Sequence, residues 1–300
     1  MSYADYLRRA TVAWRSVRRR HGWLDHLARA AVRYDEVDGG RLAAAVTYYA
    51  FFATFALALL GIATFGFVLD DPAVLRSVQQ YLAENLPRVD VEALRNARGT
   101  VGVVGFIGLP ISGWFWVNAL RSSIRAVWRL PEYPGSFAVR VVVDLAVLVG
   151  LGLLLAASLA VVFGTTAAAD RLVTAAGMRA TPARLLLGTI GLVLGFGTNT
   201  LLSMAVLTAL PRLRMPVRRL LGPALFFAAG LELLKTLGQL YVQRVETNAT
   251  YLVVAGAVGL LVFLNIVNQL ILFAATLAAT GTAGPVSDLA APRTRDKGAQ

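Results

Sequence analysis

The sequence predicts an all-α polytopic membrane protein: six transmembrane helices in a bundle, with an amphipathic interfacial helix at the N-terminus. Three observations predict it. The chain of 300 residues is 57% hydrophobic and only 15% charged, with mean hydropathy +0.64, whereas soluble domains carry roughly 25% charged residues. Six apolar segments, at about 42–69, 99–120, 139–164, 183–209, 219–243 and 250–279, are each near or above the roughly 20 residues a helix needs to cross a bilayer. The basic residues punctuate these segments instead of gathering on one polar domain. Of the 29, 20 fall in 1–41, 121–140, 210–219 and 280–300, against 8 in the intervening loops. By the positive-inside rule both termini are expected in the cytoplasm.

Residues 1–40 form a basic arm. Leu7, Ala10, Trp14, Val17, Leu24 and Ala28 recur at steps of three and four among its arginines, the pattern of an amphipathic helix. Such a helix lies on the anionic inner leaflet, with Trp14 and Trp23 at the headgroups. A net charge of +12 also admits a nucleic-acid reading of the arm; membrane topology accounts for the same charges better, and no nucleic-acid partner is expected. Gly39 and Gly40 are expected to break the chain before the membrane.

The first apolar run begins only near Leu42 and is too long for a signal peptide, so no cleavable leader is expected. The outer stretch 70–98 opens with Asp70-Asp71-Pro72. It places Leu75, Val78, Leu82 and Leu86 on one face, predicting a short amphipathic helix ended by Pro87. Span two carries Gly99, Gly102, Gly105 and Gly108, small residues that let helix backbones approach closely in lipid. Pro110 is expected to kink it. The helix then continues as a cytoplasmic extension through Arg121, Arg125 and Arg129 to Pro131 and Pro134. Asp144, four residues after Arg140, is read as a first-turn acid pairing with that arginine. The tail 281–300, rich in Ala, Gly, Pro and charge, is expected to be disordered.

Candidate functional residues lie on two polar stripes. Span five places Glu232 and Lys235 three residues apart in an apolar helix, where each charge costs about 2.5–3.5 kcal/mol on insertion scales. Thr236, Gln239 and Gln243 extend that face. Span six clusters Asn265, Asn268 and Gln269 at mid-helix, with Thr276 and Thr280 continuing the line. Glu232, Lys235, Gln239, Asn265, Asn268 and Gln269 are therefore the candidate substrate-binding residues, with helix–helix glue as the bland alternative. Asn118 and Asn199 are weaker signals. There is no Cys, and the only histidines are His21 and His26. That excludes thiolate chemistry and argues against a histidine metal site. Asp35, Glu36, Asp38 and Glu132 read as loop or capping acids. No phosphate-cradling glycine loop is present. No cofactor, metal or enzymatic activity is expected.

Arg41-Leu-Ala-Ala-Ala-Val-Thr-Tyr-Tyr-Ala50 resembles the opening span of the YihY/virulence factor BrkB family. Asn118-Ala-Leu with Ala126-Val-Trp-Arg129, the basic loop Pro211 to Pro216, the trio Glu232, Lys235 and Tyr241, and Asn248 to Tyr251 resemble further family stretches. The likeness covers about residues 35–280. It implies an all-α, six-helix inner-membrane protein with unsettled activity, some members having carried a ribonuclease label. One departure stands out: where the family ends span six with Gly-Ala-Glu, this chain has Ala274-Ala275-Thr276. The expected functions are, in order, translocation of a polar or amphipathic substrate, a structural or assembly role in the envelope, and a ribonuclease.

Overall fold

The computed structural model describes residues 22–68, 91–133, 136–150, 152–153, 180–244 and 249–291. The expected outer helix within 70–86 and the first half of the basic arm lie outside these residues. Seven helices are described: α1 (Gly22–Glu36), α2 (Gly39–Val68), α3 (Val91–Val127), α4 (137–150), α5 (Ala180–Ala209), α6 (Val217–Arg244) and α7 (Ala249–Thr280). Two short strands, β1 (Leu213–Arg214) and β2 (Ser287–Asp288), pair antiparallel with Leu213 opposite Asp288. Four segments are long and apolar enough to cross a membrane: Gly39–Leu60, Gly102–Val127, Val217–Gly238 and Gly256–Thr280; Val193–Ala209 is a shorter apolar helix. Large apolar side chains such as Phe106, Val142, Leu201, Leu233 and Val258 point outward and exposed, as they do where lipid is the solvent.

Hairpin α2–α3 is built on small residues. A Cβ on Gly105 would lie 2.7 Å from the Leu60 backbone nitrogen, and one on Gly108 would lie 3.5 Å from the Ala56 Cβ. Tyr49 stacks on Phe115 further along. The close approach expected of the glycine face is present at Gly105 and Gly108, whereas Gly99 faces open space.

The chain breaks between α1 and α2 one step earlier than the glycines suggest. Asp38 takes the left-handed conformation (φ 52°), its carbonyl accepts from the Leu42 amide, and its carboxylate bonds Arg41. Gly39 instead makes room for an aromatic ring, since a Cβ there would enter Tyr34 at 2.5 Å. Helix α1 therefore folds back on the bundle and packs along α7, with Ala30 fully buried.

Among the described residues the tightest core sits at one end of the bundle. Ala43, Val46, Leu120, Ile124, Leu207 and Leu272 are all within 2% of complete burial. The same end closes the last helix. A helix leaves its final four carbonyls without intrahelical donors. In α7 these belong to residues 277–280, and side chains supply all four: His26 Nε2 to Leu277, Arg219 Nε to Ala278, Arg219 Nη2 to Ala279 and Arg29 to Thr280. The two arginines there also complement the helix dipole.

Beyond α7 the expectation of a disordered tail fails for residues 281–291. Gly284 takes a left-handed conformation (φ 88°), β2 joins β1, and the Leu289 amide donates to the Arg212 carbonyl. Asp288 receives two hydrogen bonds from Arg125, at 3.1 and 2.7 Å. Paired charges and edge hydrogen bonds hold this strap, which composition alone does not reveal. Residues 292–300 lie outside the described part.

Gly105→Ala should lower the thermal unfolding midpoint of the detergent-purified protein, because overpacking against backbone costs about 1–3 kcal/mol. Gly99→Ala should leave it unchanged or raise it, since Ala gains up to about 1 kcal/mol of helix propensity. A second outcome concerns Asp288. Burial pushes its carboxyl up, but the hydrogen bonds from Arg125 and the Ala290 amide, with the charges of Arg125 and Arg212, outweigh burial and hold it below the usual carboxylate range. A carboxyl depressed on folding stabilises above its unfolded pKa and loses that contribution as pH falls through the folded value. Protection of the Leu289 amide from hydrogen exchange, corrected for intrinsic rate, should therefore hold from neutral pH down through the ordinary carboxylate range and fail only below it. In Asp288→Asn it should be low throughout.

Candidate functional site

Glu232 and Lys235 sit on α6 just beyond the packed core, one turn past Phe227 and Ala228. Lys235 Nζ donates to Glu232 Oε1 at 2.6 Å, and the side chains keep 42% and 30% exposure respectively. The same carboxylate oxygen accepts from Asn199 Nδ2 at 2.7 Å, which ties α5 to α6. Gly195, one turn before Asn199, leaves room there: a Cβ would stand 4.0 Å from Glu232 Oε1. Thr236 returns its hydroxyl to the Glu232 carbonyl. The Gln239 and Gln243 side chains lie outside the described residues. Asn199, a weak signal alone in sequence, is thus a third member of the charged group; the Gly195–Asn199 step toward α6 is the trace it leaves.

The span-six residues form a separate cluster. Asn268 is buried and donates to Thr47 Oγ1 of α2 at 3.1 Å, and Asn265 approaches the same hydroxyl at 3.5 Å. Gln269 is exposed and donates to Asn265 Oδ1 at 2.6 Å. Thr47 in turn donates to the Ala43 carbonyl. Thr276 and Thr280 bond carbonyls of their own helix. The geometry therefore splits the two stripes: one faces α5, the other faces α2. Gln269 also lines an apolar groove of about 670 Å³ between α1, α6 and α7, walled by Leu24, Leu27, Phe226, Leu270 and Phe273.

A third polar group has the sequence pattern of a cytoplasmic extension, yet the structure buries it. Arg121 and Arg125 are completely buried, the two largest side chains so enclosed among the described residues. Arg125 donates to the carbonyls of Pro131 and Pro211 as well as to Asp288. Arg121 bonds Asn118 Oδ1 at 2.5 Å and lies 3.3 Å from Asp144 Oδ2; Arg212 Nη2 stands 4.0 Å from Asp144 Oδ1. Asp144 thus pairs with Arg121, not with Arg140, whose guanidinium bonds the Tyr133 carbonyl and lies over the rings of Tyr133 and Phe137. The sequence does carry a signal of this: Val117, Leu120, Ile124 and Val127 continue the buried face of α3 past its apolar run, with the arginines beside them.

The acids that read as loop residues behave as ion-pair partners where the structure shows them. Glu36 bonds Arg129 at 2.8 Å, and Asp38 bonds Arg41. Among the described residues no group of three or more His, Asp or Glu side chains gathers as a metal site would need.

Comparison with known proteins places this architecture. The chain is similar to the inner membrane protein YhjD of Escherichia coli (strain K12), 28% identical over 273 residues, which covers 85% of this chain and 80% of that protein. It is also similar to an uncharacterized protein of Dickeya dadantii (strain 3937), 29% identical over 280 residues and covering 88% and 84% of the two chains. No solved structure matches. The family model described as Virulence factor BrkB matches residues 30–296, which takes in all three polar groups and the strap, and this helical membrane protein belongs to that family.

Proposed function

We propose that the protein is an inner-membrane translocator of a polar or amphipathic substrate, with Glu232, Lys235 and Asn199 forming the group that meets the substrate near mid-bilayer. The observation that carries this reading is the partial exposure of the Glu232–Lys235 pair at membrane depth. Charges kept only as glue are drawn out of contact with solvent, whereas transporters hold polar groups at the midplane in a hydrated cavity. The tightly packed basic end, beside this open middle, fits a bundle closed on one side. In this reading the chain has six spans and both termini in the cytoplasm, and no catalytic step is assigned to it. The meeting of Glu36, Arg129, Pro211 and Asp288 at one end of the bundle supports it, since these belong to the stretches rich in basic residues. Helix α1 would then lie at the inner interface, with exposed Trp23 among the headgroups.

A second reading, a structural or assembly factor of the envelope, draws on the buried Thr47–Asn268 bond and the closed basic end. Thiol labelling separates the two, since the chain has no native Cys. In intact cells a membrane-impermeant thiol reagent should label Thr236→Cys, beside the pair, and spare Leu233→Cys on the lipid face. It should reach Ala291→Cys only after the membrane is permeabilised. Protection of Thr236→Cys until denaturation would favour the scaffold, and labelling of Ala291→Cys in intact cells would invert the topology.

The pair itself gives a second check. Glu232→Gln strands Lys235 without its anion, whereas Lys235→Met leaves Glu232 still bonded to Asn199. Folded yield should therefore fall most in Glu232→Gln, less in Lys235→Met, and recover in the double variant, because a lone charge keeps its desolvation cost without its partner. Quantitative membrane-fraction yield and monodispersity on size exclusion read this directly. Additive losses with no recovery would show that the two charges serve different partners.

A further inference from the structure

The groove between α1, α6 and α7 has the width and lining of a site for a single hydrocarbon chain. It is cut into the flank of two membrane spans, with Phe226 of α6 and Leu270 and Phe273 of α7 on one side and Leu24 and Leu27 of α1 on the other. Gln269, the amide on its wall, is engaged with Asn265. The volume of about 670 Å³ lies along α1 from Leu24 to Tyr34. That stretch is about 15 Å of helical rise, which leaves a channel roughly 7 Å across, narrower than the about 10–12 Å of a helix with its side chains. A partner helix does not fit it. Water does not fill it either, because apolar cavities stay dry, and a gap forfeits the dispersion contacts of its walls. At this depth the remaining filler is lipid.

Two polar features define which lipid. Tyr34, on the groove wall, is fixed by the Phe273 ring at 5.9 Å and by the close backbone of Gly39. Its hydroxyl is closed to water and has no hydrogen-bond partner among the described residues. Burial raises its pKa, so the phenol keeps its proton and remains a donor. Buried polar groups are almost all bonded, and the acceptor that an acyl chain brings with it is its ester carbonyl. The second feature is charge. Gly222 and Arg218 stand one and two turns before Phe226 on the same i, i+4 ridge of α6. Gly222 has open space where a side chain would sit, and Arg218 is exposed and ion-paired to no described residue. Helix α1 does not offer such a free cation, since Arg29 pairs with Asp25 and Arg33 with Glu36. We propose that the groove binds one acyl chain of an ester-linked anionic glycerophospholipid, with Tyr34 donating to the ester carbonyl and Arg218 meeting the headgroup. The lipid then fastens α1 to the spans. This site is separate from the Glu232–Lys235–Asn199 group and stands whether or not that group meets a substrate.

The test uses the full chain, purified in detergent and stripped of lipid, with thermal unfolding as the readout. Ester-linked phosphatidylglycerol should raise the unfolding midpoint in a concentration-dependent way, as a ligand of the folded state does. Its diether analogue, with the same headgroup and chain length but no carbonyl, should need roughly three- to tenfold more for the same shift, the loss of one hydrogen bond. Tyr34→Phe should make the two lipids equal, while its lipid-free midpoint stays unchanged or rises because an unmet donor is gone. Arg218→Gln, an exposed change, should lose the advantage of phosphatidylglycerol over phosphatidylcholine and keep the preference for ester over ether. Ala28→Phe places a ring in the groove and should lose the shift from both lipids. Four results would overturn the inference: equal shifts from the ester and ether lipids in the wild type, an ester preference that survives Tyr34→Phe, a phosphatidylglycerol advantage that survives Arg218→Gln, or a shift undiminished by Ala28→Phe, which marks lipid bound around the bundle at large. A dimer that Ala28→Phe splits would overturn it too, by assigning the groove to a second copy.

Discussion

A guanidinium enclosed by protein is costly unless its donors meet acceptors, and Arg125 meets that demand by drawing three parts of the chain onto one point. It holds the Pro131 carbonyl after α3, the Pro211 carbonyl after α5 and the Asp288 carboxylate after α7. An unpaired buried charge is strongly destabilising, so removing one partner costs more than the pair itself contributes. The loops at this end are therefore not free connectors, because each supplies an acceptor that the charge requires. The capping of the α7 carbonyls by His26, Arg29 and Arg219 follows the same logic with the roles exchanged. There the helix supplies the unmet acceptors and the neighbours supply donors; Arg219 also bonds the Gly284 carbonyl and lies over the Trp128 ring.

This closure gives the bundle two unlike halves. At the basic end, side chains of α2, α3, α5, α6 and α7 interlock around Val46, Leu120, Ile124, Leu207 and Leu272. One or two turns further into the membrane, the groups on the helix faces turn polar and half-exposed: Glu232 and Lys235 against Asn199, Gln269 against Asn265. In the translocator proposed above, a packed end beside a half-exposed middle is the arrangement that rocking of one helix group against another would need. The rigid end would act as the fulcrum, and the Glu232–Asn199 bond between α5 and α6 would be among the contacts that change.

Hydropathy and charge make the class of the fold legible, because a lipid-facing helix must be apolar on nearly every side and a loop need not be. The glycine face of α3 is legible for the same reason at Gly105, where only backbone proximity explains the residue, but not at Gly99, which faces open space. The pairing of Glu232 with Lys235 can be read from their spacing of three. Asn199 is harder to read, since the glycine one turn before it is a weak trace that many packed helices share. The largest omission is the inner arginine group. Charged residues after an apolar run look like the start of a cytoplasmic loop, and only the continued spacing of Leu120, Ile124 and Val127 beside them signals that the helix is still inside the protein. The strap is hidden by composition: a stretch rich in Ala, Gly and Pro reads as loose, although the Asp288 carboxylate on a buried cation and the pairing with β1 seat it.

Arg125 and its counterion are 163 positions apart, and that separation has a consequence for how the protein is made. Domains and spans emerge from the ribosome in order, N-terminal parts first. Through most of synthesis α3 is therefore already in place with its arginine lacking the one anion that matches it, and that end of the nascent bundle must stay wet or be held by other factors. Only when residue 288 has been translated does the cation acquire its partner and the end seal. Sealing thus reports that translation has passed residue 288: a chain cut short before it keeps an open, charged end, which membrane quality-control proteases could tell apart from one that carries Asp288.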